Sequence, residues 1–239
     1  MELTKTADVP STSPMSAVFS MFYEPTRAFE SLSPRRYGWI PLLLVMASSL
    51  ALILWYFNIV DFAWMVEQMV ASMPATERDA AKQMMSKGMF MGFGVLGVLV
   101  ATPALMAVTG VYLMLVSKAL NKPFSFNDGF AASAWSSVPA ILSLPLGAVQ
   151  ILMSSHGQLT FSELNPLSLN QLFFHLDMGR PMAGIYDSIS LPMIWSIFLL
   201  IIAYQVWAKV ARSTAVKVVL IPYLTIYGLW FALAMSKAA

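Results

Sequence analysis

Residues 37–60 read YGWIPLLLVMASSLALILWYFNIV, from Tyr37 to Val60, without one Asp, Glu, Lys or Arg. A helix needs about 20 apolar residues to cross the hydrocarbon core of a bilayer, and this run meets that length. Working outward, residues 88–117, 129–162, 188–208 and 218–236 are equally free of those four residue types. The third run turns too polar for lipid at Ser154, Ser155, His156, Gly157 and Gln158. At the start of the fifth, Lys217 can snorkel to the surface. The expected spans are therefore about 37–60, 88–117, 129–154, 188–208 and 216–236. Pro139 and Pro145 are expected to kink the third, and Pro222 lies in the fifth. The expected fold class is all-α: a polytopic transmembrane helical bundle of five spans with short interfacial helices. Residues 1–36 form a cytoplasmic N-terminal segment, and residues 37–236 the membrane domain.

Composition agrees. Of 239 residues, 58% are hydrophobic and 11% charged, against about 45–50% and about 25% in a soluble domain. A soluble fold needs a polar skin that this chain cannot supply; a bilayer removes the need. The net charge of +2 offers no basic field for nucleic acid, so no nucleic-acid partner is expected. No cysteine occurs, which excludes disulfides, thiolate catalysis and cysteine-based metal centres. The first long apolar run begins near Tyr37, and no short apolar run with a small-residue cleavage site precedes it. The first span is expected to stay in the mature protein.

Basic residues orient the spans. With the N-terminus in the cytoplasm, the inner segments hold Lys5, Arg27, Arg35, Arg36, Lys118, Lys122, Lys209, Arg212 and Lys217. The outer segments hold Arg78, Lys82, Lys87, Arg180 and Lys237. The balance favours an N-in, C-out protein of a cell membrane.

Within residues 14–24, Met15, Val18, Phe19 and Phe22 recur at i, i+3, i+4 and i+7, one apolar helix face. Pro25 ends that helix, and Thr26 can cap a second short one. Phe19 and Phe22, with Arg35 and Arg36 at the headgroups, form the expected cytoplasmic interfacial set. It is either a docking surface for a cytosolic partner or a helix lying on the membrane to steady the first span. In the first outer loop, Phe62, Met65, Val66, Met69, Val70 and Met73 share a face that Pro74 ends. Thr76 and Asp79 resemble a capping box for a helix that runs on into the second span. The second outer loop, 155–187, carries His156, Glu163, His175, Asp177, Arg180 and Asp187, but no compact ligand spacing such as His at i and i+4. No metal and no cofactor are expected.

Gly88 and Gly92 stand at GxxxG spacing, followed by Gly94, Gly97 and Ala101, and the third span opens with Ala131, Ala132, Ser133, Ala134, Ser136 and Ser137. Small residues let helix backbones approach closely in lipid. Gly88, Gly92 and Gly97 are the expected helix-packing residues, within the bundle or across an oligomer contact, with the internal contact favoured. Buried ionisable groups mark catalysis and ion coupling in membranes. The span centres hold none, and Gln150 and Gln205 lie near span ends. No P-loop, His-Glu-x-x-His or Gly-x-Ser-x-Gly motif occurs. The expectation is a non-enzymatic membrane protein that organises a membrane or cytosolic partner or shapes the bilayer. The alternative is a transporter or channel for a small solute or lipid, with Pro103, Pro139, Pro145 and Pro222 breaking helices around a path. A deep polar cavity is not expected.

Three stretches carry a family resemblance: Glu24-Pro25-Thr26-Arg27-Ala28-Phe29 before the first span; Phe124-Ser125-Phe126-Asn127-Asp128-Gly129-Phe130 with Pro139; and Ile189 to Ala215, with Ile194-Trp195 and Ala211-Arg212-Ser213-Thr214-Ala215. With the five spans and short C-terminal tail, the chain resembles the Yip family of Ypt/Rab-interacting-protein-like membrane proteins. The absent cysteines and short N-terminal segment resemble its bacterial branch, which implies an inner-membrane location. The resemblance implies Rab binding and vesicle traffic only for eukaryotic members, and it transfers no functional residue.

Alkaline phosphatase fused after about residues 75, 170 and 239 is expected to be active, and after about 122 and 212 inactive. Activity at 122 overturns this topology.

Overall fold

The computed structural model describes residues 13–238. Lys5 and the rest of residues 1–12, part of the expected 1–36 segment, lie outside the described residues. The regular structure of the described residues is helical, with one isolated antiparallel bridge between Ser168 and Ser190. Five helical segments are long and apolar enough to cross a membrane: Trp39–Ile59, Lys87–Ala119, Phe126–Met153, Leu191–Ala208 and Arg212–Ser236. A bilayer accepts only backbone whose polar groups are satisfied internally, and that condition selects helices here.

Two lead helices come first, α1 (Pro14–Tyr23) and α2 (Pro25–Leu32). Pro25 does not simply end α1. It opens α2 at N1, where its missing N–H costs nothing, and Glu24 rather than Thr26 is the N-cap residue. The first span, α3 (Trp39–Ile59), leads to α4 (Phe62–Val70), which buries Met65, Val66 and Val70 as its pattern predicts. Asp61 caps α4 through a bond from the Trp64 N–H. The Thr76–Asp79 box is not used: α5 (Ala75–Met84) starts at Pro74 with no side-chain cap. Nor does α5 run into the second span. The chain extends at Met85 and Ser86, and the Ser86 side chain caps α6 (Lys87–Leu96) afresh.

A π-helical segment, Gly97–Ala101, joins α6 to α7 (Thr102–Ala119), completing the second span. The third span is α8 (Phe126–Ser136), a 3₁₀ segment at Val138–Leu142, and α9 (Ser143–Met153). Pro139, without an N–H to donate, sits in the 3₁₀ break, whereas Pro145 lies inside the first turn of α9, where a proline is tolerated. After the short α10 (Ala183–Ser188), α11 (Leu191–Ala208) is the fourth span and α12 (Arg212–Ala238) the fifth. Pro222 sits inside α12, which continues through it. One end of the bundle, here the basic end, carries Arg35, Arg36, Lys118, Lys122, Lys209 and Arg212. The other, the loop end, carries the 60–86 and 154–190 connections.

Close packing is real but not where the glycine spacing placed it. Among the described residues nothing comes within 4 Å of a Cβ built on Gly88, Gly92 or Gly97. The internal contact expected for them is absent: Gly88 and Gly92 are exposed, and Gly97, half-buried at the start of the π-helical segment, has no neighbour at Cβ distance. The tight crossing joins α7 to α8. A Cβ on Gly110 would lie 2.8 Å from the Phe130 nitrogen, and one on Gly129 would lie 2.6 Å from the Gly110 carbonyl oxygen. The small residues opening the third span do what their size permits: Ala131, Ala132 and Ala134 are fully buried.

Gly129→Val is expected to destabilise the protein by about 2–3 kcal/mol through overpacking. Gly92→Leu is expected to leave the unfolding midpoint of the isolated chain unchanged. Thermal unfolding of both variants in mild detergent checks the pair.

Candidate functional site

The basic end is organised around one carboxylate. Ser125 caps α8: its hydroxyl accepts from the Asp128 N–H at 3.3 Å, while Asp128 Oδ2 accepts from the Ser125 N–H at 2.8 Å, a complete capping box. The other oxygen, Oδ1, pairs with Arg36 Nη1 at 2.5 Å, with both side chains about four-fifths buried. The Arg36 guanidinium lies 5.0 Å from the Trp207 ring centroid, a cation–π arrangement. The Trp207 indole N–H donates to the Phe29 carbonyl at 2.7 Å, and the Phe29 ring meets the indole edge-on at 5.4 Å. Phe124 packs edge-on against Tyr204, whose hydroxyl bonds Ser117 at 2.9 Å. Side chains from α2, the α2–α3 link, α7, α8 and α11 thus meet in one joint.

A second indole extends the attachment of the lead helices. Trp195 Nε1 donates to the Met21 carbonyl at 3.1 Å. Trp195 and Trp207 are twelve residues apart on α11, about 18 Å along a helix. The lead helices therefore run beside the fourth span and are held there at two heights. The expected apolar face is only partly right. Ala17 and Met21 are the fully buried residues of α1, whereas Met15, Phe19, Phe22 and Tyr23 point outward, Phe19 at 63% exposure. Alanine fits a close helix contact and methionine adapts to it, so the bulky aromatics take the outer side. Arg35 is exposed; Arg36 is the member of the basic pair that enters the joint.

At the loop end, Ser162, Asn170, Gln171 and Asp187 form a hydrogen-bond network. Ser162 Oγ donates to Asp187 Oδ1, Asn170 Nδ2 donates to the same oxygen at 2.9 Å, and Gln171 Nε2 donates to Ser162 Oγ at 2.9 Å. The network stitches the long loop to itself beside a polar cavity of about 860 Å³, lined by Trp64, Glu163, His175 and Arg180 among others. This polar cavity belongs to the loops and not to the spans. His175 borders it; His156 sits on an exposed turn elsewhere. Among the described residues, no group of three or more His, Cys, Asp or Glu is placed to hold a metal ion.

The sequence reading missed Asp128, Trp195, Trp207 and the Gly110–Gly129 crossing as positions of consequence. A Ser-x-x-Asp capping spacing at Ser125–Asp128 was available as a signal. The partner of Arg36 was not, because the two residues are far apart in the chain.

With this geometry in hand, the comparisons add one result. The family model for the Yip1 domain matches residues 19–235. Neither the curated proteins nor the solved structures gave a match.

Arg36→Ala is expected to cost about 2–3 kcal/mol, between the values for exposed and fully buried pairs. Arg36→Lys should recover less than half of that, since lysine lacks the guanidinium fork and plane. Trp207→Phe keeps a ring but orphans the Phe29 carbonyl, at about 1–2 kcal/mol. Equilibrium unfolding of the three variants in detergent measures these losses.

Proposed function

The chain belongs to the Yip1 domain family, and on that premise we propose that this integral membrane protein is a non-enzymatic organiser of a membrane-embedded or membrane-proximal partner. One observation supports the reading above others. The lead helices are pinned to the fourth span by two indole–carbonyl bonds, yet they turn Met15, Phe19, Phe22 and Tyr23 outward. That aromatic edge is a fixed apolar surface that lipid or a partner can cover. Held rigidly, that edge offers apolar contact at little ordering cost. The open Gly88–Gly92 side of the second span fits the same role as a surface on which another molecule's helix can lie close. The basic-residue balance supports a cytoplasmic position for Arg27, Arg35 and Arg36 and an outer C-terminus, and the resemblance to the bacterial branch supports an inner membrane. The Met21–Trp195 bond sets α1 alongside the fourth span and not flat on the headgroups.

A photoreactive phenylalanine analogue at position 19 or 22, activated in native membranes, is expected to give a protein adduct of one defined mass. The same analogue at Leu224, on the outward side of the fifth span, should not. Lipid adducts alone at 19 and 22 would remove the partner reading.

A further inference from the structure

We propose that a cleft at membrane depth between spans one to four, roofed by the loop end, is a binding site for one acyl chain of a membrane phospholipid. The cleft has a volume of about 550 Å³ and mainly apolar walls, among them Ile53, Val98, Leu146 and Met193. It exists because two spans depart from regular helix beside it. The π-helical segment of the second span contributes Val98, and the 3₁₀ segment of the third contributes Ala140. The fourth span begins only at Leu191, with Ser190 and Asn165 at the cleft's rim.

Depth selects the occupant. Ser49, on the wall, lies ten residues into α3, about 15 Å along the helix axis and so about halfway through a hydrocarbon core of about 30 Å. The medium at that level is acyl chain. A methylene fills roughly the ~30 Å³ that a water takes in the liquid, so the cleft has room for one chain of ordinary membrane length and not for two. Charge is absent from its lining, which leaves nothing to hold a charged solute.

The polar lining suits an ester. Ser48 bonds back to the Val45 carbonyl at 2.9 Å, as buried helix serines usually do. Ser49 and Ser143 make no side-chain hydrogen bond among the described residues, and both line the cleft. At that depth they meet acyl chain. The uncharged donors within reach of ester oxygens, which only accept, are the Ser190 hydroxyl and the Asn165 amide at the rim, where Ser190 Oγ also accepts from the Met193 N–H at 3.3 Å and Asn165 Nδ2 donates to the Asp187 carbonyl at 3.4 Å.

The test is nondenaturing mass spectrometry of the full chain released from mild detergent, with extraction and identification of what it carries. The unaltered protein is expected to retain one phospholipid per chain. Ser143→Leu, which fills the cleft from α9, should lower that retention at least tenfold while keeping a single cooperative unfolding transition. Ala140→Leu fills it from the 3₁₀ segment and serves if the first variant does not fold. Equal retention in the folded variants, no retained lipid in the unaltered protein, or a free fatty acid or small polar solute in place of phospholipid would each overturn the proposal. Labelling needs no substitution: a phospholipid with a diazirine in its chain should mark Ile53 or Met193. Labelling confined to outward residues such as Leu224 and Leu229 would count against the site.

Discussion

Asp128 has two oxygens with two employments, and the basic end of the bundle depends on both. One closes the capping box of α8 with Ser125, and the other holds Arg36. A helix N-terminus carries partial positive charge and unsatisfied N–H groups, so a carboxylate belongs there on local grounds alone. Placing a guanidinium on the same carboxylate ties the start of the third span to the link before the first. The Trp207 face under Arg36, and the Trp207 N–H on the Phe29 carbonyl, carry the tie to the fourth span and the lead helices. The capping box lies open to solvent at Ser125, but the Arg36–Asp128 pair and the Trp207–Phe29 bond are largely buried, where a polar atom left without its partner is costly. The joint is consequently cooperative, although among the described residues the buried Arg36 Nε is left without a hydrogen-bond partner.

The spans above this joint associate under a different constraint. In hydrocarbon there is no hydrophobic drive between helices, and contact area and close approach decide the packing. The α7–α8 crossing satisfies this with backbone on backbone at Gly110 and Gly129. Side-chain hydrogen bonds support the neighbouring contacts, from the Tyr112 hydroxyl to the Val218 carbonyl at 2.8 Å and between Ser117 and Tyr204. The stretch Phe124–Phe130, by which the chain resembles its family, has a physical explanation in these two paragraphs. It supplies an aromatic wedge at Phe124, a cap at Ser125, a charge partner at Asp128 and a close approach at Gly129. The resemblance is architectural because the residues that carry it build a joint.

The loop end works by other means. Gly157, at φ +72°, turns the chain where a Cβ would come 2.3 Å from the Ile59 carbonyl oxygen, and its own carbonyl accepts from the Asp61 N–H at 2.9 Å. The Tyr56 hydroxyl donates to the Leu159 carbonyl at 2.8 Å, fastening the same loop to the end of the first span. With the Ser162–Asp187 network and the backbone bonds from Leu169 N–H to the Ile189 carbonyl and from Leu191 N–H to the Leu167 carbonyl, these contacts hold a long irregular segment over the spans.

Charge-free runs of about 20 residues determined the helical, membrane-crossing class and the number of spans, because bilayer thickness is a one-dimensional constraint that a sequence shows directly. Periodicity likewise exposed α4 and both lead helices, and the turn-forming residues came close to their ends. Which face of each helix meets which neighbour was decided only in three dimensions. Gly88 and Gly92 have the spacing of a packing face and meet nothing in this chain; Gly110 and Gly129 have no shared spacing and touch. Phe19 and Phe22 carry the apolar pattern, but Ala17 and Met21 take the buried side. Arg36 finds Asp128 and Trp207 from distant parts of the chain. In lipid every side of a span is apolar, so hydrophobicity does not tell the inner face from the outer one, and only the fit of backbone, small residues and a few paired polar groups does.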